Sequence, residues 1–599
     1  MNHETPRLDH AAYGNGRVLA LVAPDSGLDW LCLPRFDAPS LFGRLLDSER
    51  GGTFAFRQRG VLLEGRASYE RNTNVVRTEF KSGEDAWEVI DFAPRLPRGA
   101  SVEAPLEIVR IVRTLAGRPK LSVLFDPRPG YAETLPRIEL SSEGLSVLHR
   151  DGDLTLWSDV PAPYVLSGQE FSPARESWFV LAWGRRAHAP TRASVLHDHE
   201  VTVSAWRAWA RTCALPTFAA EAVLRSALCL KLHQNHDTGA IIAAATTSIP
   251  EALGTERTWD YRYCWLRDAA FVVEALRRLS HLAEGERYLR FLRDVVEAGP
   301  LQPVYGIGGE RALEERRLEH LAGFGGNGHV RIGNAAYSQR QNDLAGEVVL
   351  CLETFLCDPR IVNEDPREYV PLLRTLVEGA IRDFEEPDTG IWEYRTQLRH
   401  HTFSKAMCWV AAQRGALLAQ GLGEPLLAER WSGAAMRMRD IVLERGFNAR
   451  LGYFTQGFDG TYADASILLL PTLGLIDARD PRFVSTVRAY ERLLVRDGWM
   501  LRYSHADDFG ETTSAFSICS FWWAEALALM GELDEAVALF RRLLAHANPV
   551  GLFSEDVDTR GARLLGNFPQ AYTHVGLIHA AMTIGELLEA RDGRVRAWT

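Results

Sequence analysis

The spacing of apolar residues changes near position 200, and the change divides the chain. From residue 16 to about 183, short runs alternate apolar and polar positions, as at 18–22, 53–56, 74–80, 108–114 and 154–157. A period of two, broken by Gly, Pro and Asp clusters, predicts antiparallel strands. So many short strands in succession predict a β-sandwich over residues 1–200. After Thr217 apolar residues return at i, i+3, i+4 and i+7, as in Ala269, Val272, Val273 and Leu276, which predicts amphipathic helices. About twelve such segments follow, starting near Ala219, Leu266, Gly285, Ala336, Pro366, Phe403, Glu424, Ala463, Pro481, Thr513, Leu533 and Gln570. No repeat of fixed period disciplines them, which disfavours a regular solenoid. Twelve helices in antiparallel pairs can close into a ring of six hairpins over 219–599. The stretch 201–218, with Trp206 and Trp209, reads as a helical linker.

Between the helices lie long irregular stretches at 236–265, 299–335, 386–402, 495–512 and 548–569. Loops of that length are rare in a compact domain unless they serve a function. They also hold the chemistry-bearing residues. Glu393 lies between Trp392 and Tyr394, just after the turn Asp388-Thr389-Gly390. Packing a glutamate against aromatic rings disfavours its ionised form, which suits a proton donor; a surface glutamate in a turn would look the same. Glu555 opens an acidic run with Asp556 and Asp558, a setting for a general base, and equally for a solvated loop or helix cap. Paired carboxylates among aromatic rings are what acid-base cleavage of a sugar acetal requires. Upstream, Arg267 and Asp268 follow Trp259, Tyr261, Tyr263 and Trp265. A guanidinium fork beside a carboxylate can grip vicinal hydroxyls, and the rings can stack on sugar faces. A structural ion pair at a helix start remains the alternative. His400-His401 offers a substrate hydroxyl contact or a structural role.

Composition narrows the class. A chain of 599 residues exceeds one ordinary core. Its formal net charge of −11 is spread along the sequence, against nucleic-acid binding, which needs a basic face. The first seven residues lack a basic-then-apolar pattern, and no apolar run approaches the roughly 20 residues of a membrane span. Eight scattered cysteines without Cys-x-x-Cys predict buried free thiols and a cytoplasmic location. No P-loop, Gly-x-Ser-x-Gly or His-Glu-x-x-His occurs. Gly323 to Gly328 matches Gly-x-Gly-x-x-Gly without a preceding strand and reads as a loop; His197-Asp198-His199 reads as a solvated turn. No metal or organic cofactor is expected, and a homo-oligomer is left open.

The segment Arg257-Thr258-Trp259-Asp260-Tyr261-Arg262-Tyr263-Cys264-Trp265-Leu266-Arg267-Asp268-Ala269 resembles a motif of glycoside hydrolase family 15, the family of glucoamylases, glucodextranases and prokaryotic trehalases. The stretch from Asp25 to Asp37 is similar to the N-terminal domain of its prokaryotic members. Gly390-Ile391-Trp392-Glu393 resembles the family's acid loop, and Ser554-Glu555-Asp556 its base loop, with Gly566-Asn567-Phe568-Pro569-Gln570 after it. The resemblance implies an N-terminal antiparallel β-sandwich followed by an (α/α)6 barrel. It implies hydrolysis of a terminal α-glucosidic bond with inversion, without a cofactor. Glu393 would be the general acid and Glu555 the general base. Arg267, Asp268, Trp265 and Trp392 would hold the terminal glucose, with Tyr263, Arg331 and His400 as further substrate contacts. The chain departs from the family's pattern at Gly325, Gly328, His329 and Ala345, where a reshaped leaving-group side is expected. The main expectation is a glucoamylase-like enzyme acting on α-glucan or oligosaccharide ends. The alternative is an α,α-trehalase; a disaccharide phosphorylase or a non-catalytic sugar-binding protein stands further back.

Overall fold

The computed structural model describes residues 6–593 except 100, 142, 143, 151, 185–187, 362–364 and 562, so Met1 to Thr5 of the N-terminal stretch lie outside the described residues. The first part is all antiparallel. Four strands, Ala11–Gly14, Leu19–Val22, Leu28–Cys32 and Ser40–Phe42, form a consecutive meander. An eight-stranded sheet has at its centre Glu107–Ala116, flanked by Asp85–Phe92 and Glu176–Trp183. The pair Thr53–Gln58 and Leu121–Asp126 packs on it, with Phe54 and Phe56 against Phe179. The alternation at 76–82, buried at Val76, Thr78 and Phe80 and open between them, is the physical source of the period-two reading.

A short helix α1 (Ala162–Ser167) interrupts the strands, and α2 (Arg192–Arg211) leads out of them. Thr191 caps α2 in a reciprocal box with Ser194. This helix begins inside the stretch that the sequence assigned to the sheet domain. It also absorbs His197-Asp198-His199, which is therefore no turn; His199 Nε2 lies 2.8 Å from Glu70.

Then come α3 (Ala220–His233), α4 (Leu266–Arg278), α5 (Leu282–Glu297), α6 (Leu344–Leu356), α7 (Val370–Asp383), α8 (Thr402–Gly421), α9 (Pro425–Arg445), α10 (Pro481–Leu493), α11 (Ser517–Met530), α12 (Leu533–Leu544) and α13 (Ala571–Arg591). Contacts run α4 to α6 to α8, then through a 3-10 turn at Ala465–Leu469 to α11, α13 and back to α4. That closes an inner ring of six elements, with α3, α5, α7, α9, α10 and α12 outside it. Composition explains the sorting. Helices α8, α11 and α13 are buried on almost every side, whereas α12 buries one stripe, Leu533, Ala536, Leu539, Phe540 and Leu543. Gly346 lets α6 lie against α8, since a Cβ there would stand 2.3 Å from the Met407 carbonyl.

Three expected helix starts move. The segment near Ala336 is a 3-10 turn, Ala335–Ser338, and the helix waits until Leu344. The segment near Thr513 begins as strand Ser514–Phe516, and the one near Ala463 never becomes an α-helix. All eight cysteines are free, six of them buried. Among the described residues no helix is long and apolar enough to cross a membrane.

The sheet domain braces the loops at one end of the ring. Trp30 donates to the Ala245 carbonyl at 2.7 Å, and Arg262 reaches the Ala38 carbonyl and the Tyr131 hydroxyl, each at 2.7 Å. Asn548 donates to the carbonyls of Leu8 and His10.

Candidate active site

Residues at the N-terminal ends of the inner helices, and the loops before them, enclose a cavity lined by Trp265, Arg267 and Asp268, by Trp392 and Glu393, and by Gln570. A larger space, about 980 Å³, lies farther along the same helices, between residues such as Glu274, Leu350, Trp522 and His579; Tyr572 touches both. Among its arginines, Arg277, Arg278 and Arg414 are already paired with Glu274, Glu586 and Glu353. The chemistry therefore points to the first cavity.

Glu393 sits in a loop fixed on several sides. Asp388 Oδ2 accepts from the Ser404 hydroxyl at 2.7 Å and from the backbone N–H groups of Asn342 and Gly390. Burial, first, and the nearby Asp343 push the Asp388 carboxyl up to about 7. Gly390 has φ +67°, and a Cβ there would meet the His401 ring at 2.7 Å. Glu393 itself has φ +61°, a left-handed conformation that costs a non-glycine residue roughly 1–3 kcal/mol. Such strain persists where the surroundings over-determine it. Here Oε1 of Glu393 accepts from Trp265 Nε1 at 2.7 Å, Gln341 Nε2 at 3.1 Å and Arg267 Nη2 at 3.3 Å. Among the described residues no donor reaches Oε2.

Arg267 is crowded by acids: Asp268 at 3.4 Å, Glu393 at 3.3 Å and Asp343 at 3.6 Å. Asp268, in the first turn of α4, is pushed up to about 6, by burial first and against the pull of Arg267. Trp392 donates from Nε1 to both oxygens of Asp464 at 2.9 Å, which fixes its ring beside Phe516 and Trp522.

Glu555 is fully buried and is not itself a cavity-lining residue. It lies one side chain behind the wall, where the hydroxyl of the lining residue Tyr261 donates to its Oε1 at 2.7 Å. Close approach of Gly566 keeps it there, for a Cβ at 566 would stand 2.7 Å from Oε2. Glu251, Glu555 and Asp556 bring carboxylate oxygens within 4.8 Å of one another. Burial, then Glu251 and Asp556, push Glu555 well above the ordinary glutamate range; burial also lifts Asp556 to about 7. Two guanidiniums already serve this trio. Arg502 reaches Glu251 at 2.5 Å and Asp556 at 3.7 Å, and Arg257 lies 3.6 Å from Glu251. Glu251 also accepts from Trp259 Nε1 at 2.7 Å.

The two glutamates share one wall. Tyr261 and Trp265, four residues apart, pack edge to face at 5.3 Å, and each donates to one of them.

Three expected contacts lie elsewhere. Tyr263 is spent on packing with Val304, Leu313 and Ala336 in a small apolar cluster. Arg331 is tied to Glu315 at 2.6 Å and stacks behind Trp259, 5.3 Å from its ring. His400 lies flat against Phe458, and His401 against Tyr394, and neither lines the cavity. Conversely, Glu251, Arg502, Arg395 and Asp508 line it without having been singled out. They stand in loops the sequence marked as long, but the contacts between them form only when the ring closes.

Residues 217–582 match the family model described as glycosyl hydrolases family 15, and residues 2–162 match one described as trehalase-like, N-terminal. A trehalase of Mycobacterium tuberculosis is 35% identical over 98% of this chain and 91% of its own. A trehalase of Thermoplasma acidophilum is 32% identical over 96% of this chain and 100% of its own. A bacterial glucoamylase solved with acarbose shares the fold with a TM-score of 0.70 at 13% identity, over 100% of this chain and 98% of that one. With both parts of the chain matched and the cavity placed at one end of a closed helical ring, the chain is a glycoside hydrolase of family 15.

Proposed function

We propose that this hydrolase is an inverting α,α-trehalase, with Glu393 as general acid and Glu555 as general base. The glucoamylase-like preference drawn from the sequence gives way, because the curated relatives that span nearly the whole chain carry the name trehalase. The solved glucoamylase speaks for the fold alone. The observation that carries the catalytic reading is the shared wall: one segment, from Tyr261 to Trp265, hands a hydrogen bond to each carboxylate. The chain divides accordingly into a sheet domain that ends before α2, a helical linker that α2 begins, and a catalytic domain from about residue 219 onward. Eight unpaired thiols fit a reducing compartment.

With Oε1 of Glu393 occupied by three N–H donors, its proton belongs on Oε2, free to pass to the leaving oxygen. Arg267 and Asp268 would hold hydroxyls of the glucose whose bond breaks, between the Trp265 and Trp392 rings. Glu555 would take a proton from water on the opposite face through the Tyr261 hydroxyl, which stands between it and the cavity. Glu251 is the rival base because it lines the cavity, but its oxygens already lie against Arg502 and Arg257 and accept from the Trp259 indole N–H, which leaves them less free to accept from water. Inverting pairs stand about 6.5–9.5 Å apart to admit the water.

The test is turnover of trehalose, maltose, isomaltose and maltotetraose at equal concentration. Trehalose should lead by about tenfold or more in kcat/KM, the scale on which competing substrates are discriminated. A preference for maltotetraose would return the enzyme to the glucoamylase-like class.

A further inference from the structure

Glu393 marks where the leaving group must lie, because the proton it gives goes to the oxygen between the two sugars. Arg267 and Asp268 stand at the ring end of the cavity, in the first turn of α4. The leaving sugar therefore occupies the outer end, beyond Glu393. That end is lined by Arg395, Asp508, Phe509 and Trp259.

These four come from three separate loops and are tied to one another. The Arg395 guanidinium lies over the Trp259 ring at 4.7 Å and the Phe509 ring at 5.3 Å. Trp259 and Phe509 themselves meet edge to face at 5.0 Å. Glu315, from a fourth loop, takes Arg395 Nη2 at 2.7 Å and fixes the guanidinium plane. The backbone N–H of Arg395 donates to Asp508 Oδ2 at 2.6 Å, and the Thr396 hydroxyl donates to Oδ1. The neighbouring Asp507 is held by Arg257 and by the Tyr503 hydroxyl, and pairs across a tight turn with Gly510. The loop around residues 507–510 is thus fastened to the acid loop itself.

Resting on the trehalase reading, we propose that Arg395 and Asp508, with the Trp259–Phe509 ring pair, form a closed subsite for the second hexose and so limit the substrate to a disaccharide. A guanidinium packed over two rings and clamped by Glu315 presents its remaining N–H donors at fixed angles to ring hydroxyls. Asp508 keeps lone pairs for the same ring after its two loop bonds. Gly325, Gly328 and His329 do not line the cavity, although the His329 carbonyl accepts from Thr258 beside Trp259; the leaving-group side is built from the loops at 394–396 and 507–510 instead.

The proposal separates the two sugars, so its test uses a substrate that lacks the second. α-Glucosyl fluoride fills the first subsite and leaves as fluoride. Arg395→Ala and Phe509→Ala should each lower the ratio of kcat/KM on trehalose to kcat/KM on α-glucosyl fluoride, Arg395→Ala by about 100-fold, the loss expected when polar contacts to a substrate are removed. Turnover of the fluoride certifies that each variant is folded. Asp508→Ala, which unties the loop, should raise the ratio of maltotetraose to trehalose turnover by about tenfold. A trehalose-to-fluoride ratio within about threefold of the unsubstituted enzyme in Arg395→Ala would overturn the subsite, as would a variant that turns over neither substrate alongside an Arg395→Lys variant with an unchanged ratio. An unaltered maltotetraose ratio in Asp508→Ala would overturn the closure. Should the unsubstituted enzyme prefer another disaccharide to trehalose, the trehalase reading fails alone and the same ratios are read on that disaccharide.

Discussion

Replacing Glu393 with Gln should lower kcat/KM on trehalose by about 10²- to 10⁴-fold, the usual worth of a positioned proton donor, while α-glucosyl fluoride falls far less. The expectation follows from the two oxygens. Gln fills the same volume, and its amide oxygen can still accept from Trp265, Gln341 and Arg267 at the Oε1 position. What disappears is the proton at the other position. A departing glucose needs that proton, because an unprotonated sugar oxygen is a poor leaving group. Fluoride leaves without it. Equal losses on the two substrates would mean that Glu393 holds the site together and is not the donor.

Glu555→Gln should be as severe on trehalose and equally severe on the fluoride, since both need an activated water. The Tyr261 hydroxyl can still donate to the amide oxygen, so the wall survives while the base is lost. The parallel variant Glu251→Gln should cost clearly less, because Arg502, Arg257 and Trp259 already occupy that carboxylate. If Glu251→Gln is the worse of the two, the base is Glu251, and Glu555 serves as its buried neighbour. The pH dependence tests the same assignment. Burial, Glu251 and Asp556 hold the Glu555 carboxyl above its ordinary range. A base must be ionised to act, so activity should fall as pH drops through that raised value. The acid limb of kcat/KM should therefore lie above the ordinary glutamate pKa, roughly 4.3.

The sequence announced what periodicity can announce. Strands such as Thr53–Gln58 and helices such as α4 lie where the alternation of apolar residues changes sides. The 3-10 turn at Ala465–Leu469 was harder, because five buried residues in a row have no face to reveal. Glu393, Trp392, Trp265, Arg267 and Asp268, which line the cavity, could be picked out because they stand in two short motifs. Tyr263 was misplaced by the same logic: clustering with other rings does not say which ring packs inward. The Arg502–Glu251 and Arg395–Glu315 pairs join loops far apart in the chain, and only closure of the helical ring brings them together. No local pattern carries that information.

Stereochemistry tests the central claim most directly. Proton NMR of the first glucose released from trehalose distinguishes the anomers before they interconvert. Attack by water opposite the broken bond turns one glucose into the β anomer, and the other leaves as the α anomer. An inverting enzyme releases the two in equal amounts at the earliest times, and that is the expected result. Only α-glucose at those times would mean retention through a covalent intermediate, and would contradict an acid and a base acting across a bound water.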